Sequence, residues 1–95
     1  MSSRHARKIL AALSAAGFRR DDGGDHIRLV YWGRDGLRTS VHTKVSHGAG
    51  EIGDDLLAKM ARQCGLGKAA FLDLVDGRMD RDAYEAVLRA SGRID

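Results

Sequence analysis

Between His26 and Val45 the apolar residues recur at every second position, whereas before and after that stretch they recur every three or four. A period of two builds strands with two unlike faces, and a period near 3.6 builds helices with one apolar stripe. The chain is thereby restricted to helices packed on a small antiparallel sheet, an α+β fold. Gly33, Arg34, Asp35 and Gly36 interrupt the alternation with residue types that suit a hairpin turn. In the strand before the turn, Ile27, Leu29 and Tyr31 share one face, with His26, Arg28, Val30 and Trp32 on the other. In the strand after it, Leu37, Thr39, Val41, Thr43 and Val45 alternate with Arg38, Ser40, His42 and Lys44. Packing the apolar sets on helices gathers His26, Arg28, Arg38, Ser40, His42 and Lys44 on the opposite side.

Helical spacing frames this hairpin. Ala6, Ile9, Leu10, Leu13 and Ala16 predict an amphipathic helix from Ser3 to Ala16, capped by Ser2 or Ser3 and ended by Gly17. Phe18 to Arg20 are expected to form a short strand before the Asp21-Asp22-Gly23-Gly24 turn. After a loop at Ser46 to Gly50, the stripe Ile52, Leu56, Leu57, Met60, Ala61 and Cys64 predicts a helix that Gly65 terminates. Leu66 to Val75 offer a shorter helix. Asp80 is the expected N-cap of a last one, whose buried side is Ala83, Tyr84, Val87 and Leu88, with Met79 and Tyr84 at the two staple positions.

Ninety-five residues, 43% hydrophobic and 31% charged, suit one globular domain. No apolar run approaches the roughly 18 residues of a membrane span, and no signal-peptide stretch follows Met1, so a cytoplasmic location and no membrane partner are expected. One cysteine, Cys64, makes neither an internal disulfide nor a thiolate metal site, and its place on an apolar stripe reads as core. The net charge of +3 is unevenly spread: residues 1–20 carry +5, residues 21–50 balance, and residues 51–95 carry −2. That asymmetry suits either a polyanionic partner or plain solvation.

His26 opens a strand directly behind a Gly-Gly-Asp turn, where it is either a half-buried strand residue or a side chain presented to a ligand. His5 reads as a solvated residue near the terminus. His42 and His47 stand five apart across a strand end and need not share a face. His26, His42, His47 and Asp25 could together be imagined around a metal, but none has helical HxxxH or CxxC spacing, so no metal site is expected. Gly23 and Gly24 could cradle a phosphate or simply make a turn, and Trp32 could stack a base or cap a small core.

The order Gly17-Phe18, Gly24-Asp25-His26, a hairpin, then Thr43-Lys44-Val45-Ser46-His47-Gly48 and a helix closing on Gln63-Cys64-Gly65-Leu66 resembles the HicA toxin family of type II toxin–antitoxin systems over about residues 6–71. Asp25 stands where that family has a small hydroxyl residue, and Thr43 to Gly48 replace a proline-containing segment. The resemblance implies a fold similar to a double-stranded RNA-binding domain, with a three-stranded antiparallel sheet packed on helices in the order α-β-β-β-α. It implies a single HicA-like domain over 1–95, with residues 76–95 as a C-terminal helical extension. It further implies an mRNA interferase whose catalytic residue is His26, neutralised by a HicB-like antitoxin and needing no cofactor.

The residue chemistry is compatible with that activity, because RNA supplies its own nucleophile and a nuclease then needs a proton carrier and phosphate-binding cations. Arg28, Arg38, Ser40, Lys44, Trp32 and Gly24 are the expected RNA contacts, and His42 and His47 are candidates for a second proton transfer or a phosphate contact. Arg89 and Arg93 on the last helix are expected to play no part. A non-catalytic RNA-binding module is the alternative.

Overall fold

The computed structural model describes residues 2–94. Strands β1 (Ser3–His5), β2 (Phe18–Asp21), β3 (His26–Trp32), β4 (Arg38–Ser46) and β5 (Glu51–Gly53) are joined by helices α1 (Ala6–Ala15), α2 (Asp54–Gln63), α3 (Lys68–Val75) and α4 (Arg81–Ala90). The main sheet is three-stranded and antiparallel, in the order β2-β3-β4, and a separate two-stranded ladder joins β1 to β5. The fold is α+β, with the alternation of β3 and β4 sorting their side chains as expected. Ile27, Leu29, Tyr31, Val41, Thr43 and Val45 are buried, and Arg28, Ser40, His42 and Lys44 are exposed. Leu37 departs from this: it lies in the turn, outside β4, and is 66% exposed.

The inner sheet face meets a core shared by every helix. Ile9 and Leu13 come from α1, Leu57, Met60 and Ala61 from α2, Phe71 and Leu74 from α3, and Tyr84 and Leu88 from α4. Three rings join β2, β3 and α4. Phe18 stacks on Tyr84 at 5.8 Å, and Tyr31 meets both edge-on at 5.4 and 5.2 Å. Residues expected as an extension thus fill the centre of the molecule. Of the stripe read for α4, Ala83 and Val87 are exposed and Glu85 is buried instead. The Glu85 carboxylate accepts hydrogen bonds from Tyr31 Oη at 2.7 Å and Arg34 N at 2.9 Å, and Arg89 donates to its other oxygen at 2.8 Å.

Sequence pattern misplaces two helix starts. Residues 3–5 pair with 51–53 in the register Ser3↔Gly53, Arg4↔Ile52 and His5↔Glu51, so α1 begins only at Ala6, with His5 Nδ1 accepting from Arg7 N. Ile52 is buried in β5 rather than in a helix, α2 starts at Asp54, and Leu56 on it is 41% exposed. Gly17 and Asp80 perform as expected. Gly17 leaves α1 at φ 111°, and Asp80 accepts from Ala83 N at 2.8 Å. The N-terminal basic excess is partly neutralised by the fold. Arg4 grips Asp76 through two nitrogens at 2.8 and 2.7 Å, Lys8 reaches the same carboxylate at 3.1 Å, and Arg20 pairs with Asp22. No helix of the described residues is long and apolar enough to cross a membrane.

Candidate functional site

A sheet with helices on one side presents its other side to solvent, and strand parity decides what stands there. The register aligns His26 with Ser46, Arg28 with Lys44 on one side and Asp21 on the other, Val30 with His42 and Arg19, and Trp32 with Arg38. Side chains directly opposite one another share a face. The outer face therefore carries His26, Arg28, Lys44, His42 and Trp32 among its occupants, together with Arg19, which sequence reading misses. The Phe18-in, Arg19-out parity of the short strand is its only signal. Arg19 sets its guanidinium 3.9 Å from the centre of the Trp32 ring. Trp32 is half-buried and capped by a cation, so its ring and that guanidinium form one composite surface.

At one end of this face lies an open concavity of about 370 Å³, lined by Asp21, Gly23, Gly24, His26, Arg28 and Lys44, with Asp25 also on its wall. His26 is half-buried as the first residue of β3, and among the described residues its ring has no hydrogen-bond partner. Arg28 and Lys44 likewise make no ion pair there. Asp21 and Asp25 bring two carboxylates to the same rim, and Asp21 accepts from Gly23 N at 3.0 Å. Gly24 needs no special backbone angle, and a Cβ there would meet open space. Its carbonyl lies 3.1 Å from His47 Nε2, which ties the turn after β4 to the turn before β3.

The three candidate histidines separate. His47 reaches the His26 turn, across a contact between residues 23 apart in sequence. His42 does not. It sits opposite Val30, about 13 Å along the sheet from the His26 level at roughly 3.3 Å per residue, with Nδ1 3.0 Å from its neighbour Ser40 O. Among the described residues, no three His, Cys, Asp or Glu side chains converge to hold a metal ion.

Arg38 and Ser40 also leave the His26 cluster. A register irregularity between Val30 and Trp32 shifts the start of β4, and both residues line a second hollow at the hairpin end. Arg89 from the last turn of α4 and Arg93 from the chain just past it line it with them. The two arginines expected to play no part thus line the same hollow as Arg38 and Ser40, because the chain following α4 returns to the edge of β4. Cys64 is buried, and burial pushes its thiol up to about 12, which suits a core residue. Comparison with family models, with curated proteins and with solved structures gives no match, so the chemistry of this face is read from its own residues.

Proposed function

We propose that this protein is an endoribonuclease of the HicA-like kind, on a fold arranged like a double-stranded RNA-binding domain, with RNA held across the open sheet face. The observation that carries the reading is His26 at the mouth of the concavity beside Arg28 and Lys44, none of the three paired within the described residues. A ribonuclease needs little more. The RNA 2′-hydroxyl gives its proton to the imidazole and attacks the adjacent phosphorus, an O2′–P bond forms, and the P–O5′ bond breaks. The departing 5′-oxygen takes a proton from a protonated side chain or from water, leaving a 2′,3′-cyclic phosphate and a 5′-hydroxyl end. Arg28 and Lys44 stabilise the charge that develops on the phosphoryl oxygens. His47, whose Nε2 lies 3.1 Å from the Gly24 carbonyl, is the candidate for the second proton transfer. His42, opposite Val30 on the same face, is the candidate for a phosphate contact further along. A HicB-like antitoxin would compete with RNA for this same face.

The test is incubation of the purified protein with single-stranded RNA in excess chelator. Fragments ending in cyclic phosphate are expected, with DNA left intact. Intact RNA, or cleavage only after a divalent ion is added, overturns the metal-free mechanism. Two observations favour a second reading, a non-catalytic RNA-binding module: among the described residues His26 has no orienting hydrogen bond, and Asp21 and Asp25 offset the local cations. That reading expects salt-dependent RNA binding without cleavage.

A further inference from the structure

The hollow at the hairpin end has no role in the chemistry above, yet its walls are unusually basic for so small a feature. Arg38 enters from β4 and Arg93 from the chain after α4, and neither has an ion-pair or hydrogen-bond partner for its side chain among the described residues. Arg89 stands beside them with Glu85 accepting from one of its nitrogens. Among the described residues the one acid on the wall, Asp35, has an oxygen committed to Leu37 N at 3.0 Å. Ser40 adds a hydroxyl. The hollow, of about 250 Å³, is lined by three arginines together with Ser40 and the apolar residues Leu37 and Ile94, and guanidinium groups are the side chains best suited to the oxygens of a phosphate.

Position gives the ligand. Trp32 pairs with Arg38, and six residues of β3 separate Trp32 from His26, about 20 Å at roughly 3.3 Å per residue. Between the two ends run Arg28, Lys44 and the Arg19–Trp32 surface, a course of cations and a π-face that matches how single-stranded nucleic acid is held. We infer that the Arg38–Arg93 hollow is a second phosphate site, taking a backbone phosphate of the same RNA strand whose scissile group lies at His26. The inference rests on the RNA reading. It adds that binding depends on length: a strand must run the sheet from end to end before both sites engage. The linkage makes the second contact intramolecular, so affinity rises steeply once that length is reached.

The experiment uses the full-length protein and 2′-O-methyl oligouridylates of two, four and eight nucleotides, which bind but cannot be cleaved through a 2′-hydroxyl. Affinity is read by anisotropy of the labelled oligomer, and Trp32, the sole tryptophan, reports occupancy of the middle of the track by its emission. The eight-mer is expected to bind about tenfold or more tightly than the two-mer. Arg38→Gln with Arg93→Gln should remove that gain and leave the two-mer unchanged. It should also lower the slope of log affinity against log salt for the eight-mer by about 0.7 for every phosphate that the protein no longer neutralises. The paired Lys substitutions, which keep the charge, should restore part of the gain, and equal melting temperatures exclude a folding defect. A length gain that survives the double Gln variant overturns the second site. Binding that is independent of length overturns it too, while the RNA reading stands if Arg28→Gln weakens the two-mer. Absence of binding at every length removes the RNA reading and this inference together. An eight-mer indifferent to both variants, beside a glutamate-rich peptide that responds to them, overturns the inference and gives the hollow to an acidic protein surface.

Discussion

Glu85 is the residue on which the hairpin end of the sheet depends. It is 7% exposed and accepts from a buried phenol and a backbone N–H, so Glu85→Ala would strand two donors at once. A cost of about 2–3 kcal/mol is expected, lowering the melting temperature by roughly 10 °C or more. The Tyr31 hydroxyl, more than any other partner, holds the Glu85 carboxyl below its ordinary value. A lowered folded-state pKa means the unfolded chain binds the proton more readily. The Glu85 contribution is therefore complete above about pH 5 and fades as pH falls below the ordinary glutamate value toward the lowered one. Urea unfolding from pH 7 to 3 should show that loss in the parent and a smaller one in Glu85→Gln. His26 stands in contrast. It is half-buried and without a hydrogen-bond partner among the described residues, so His26→Ala should leave the melting temperature within about 2 °C while abolishing RNA cleavage. A large drop in melting temperature would make His26 a packing residue.

At the scale of elements, junctions matter more than helix interiors. Gly17 ends α1 at φ 111°, and a Cβ there would lie 2.9 Å from both the Tyr31 ring and Arg81 Nε. Gly17→Ala combines backbone strain with collision against a buried ring, for about 2–3 kcal/mol measured by denaturant midpoint. Gly24→Ala, where a Cβ meets open space, should be silent in the same assay. Asp80→Ala removes the cap of α4 and should cost about 1 kcal/mol. The β1–β5 ladder has no counterpart in hydrophobic period. Its three-residue strands carry Ser3, Arg4 and His5 against Glu51, Ile52 and Gly53, and Arg4 is anchored to Asp76, just past the end of α3. Short polar strands of this kind are defined by their partners.

On the scale of the whole molecule, α4 and the chain behind it belong to the core and also to the rim of the hairpin-end hollow. Tyr84 and Leu88 are fully buried, and each contributes on the order of 2–3 kcal/mol of burial to a domain this small. Deleting residues 80–95 should therefore abolish the cooperative thermal transition seen by circular dichroism; a preserved transition would show that the rest folds alone. The same segment delivers Arg89 and Arg93 to the edge of β4, so a shortened chain would also lose one end of the basic track.

What the sequence determined follows from local periodicity. The switch between periods of two and 3.6 set the α+β class, the inner and outer faces of β3 and β4, and the outward placement of Arg28 and Lys44, because side-chain parity is a property of the strand itself. Gly17 and Asp80 were legible for the same reason, since helix ends are written in one or two residues. Tertiary structure alone decided which residues distant in the chain meet. It put His47 against Gly24 and left His42 at another level of the sheet, which no spacing rule could choose. It exchanged Val87 for Glu85 on the inner side of α4, because Tyr31 and Arg34 supply donors there. It also brought Arg93 to Arg38 across 55 positions of sequence, a meeting fixed by how α4 packs on the shared core.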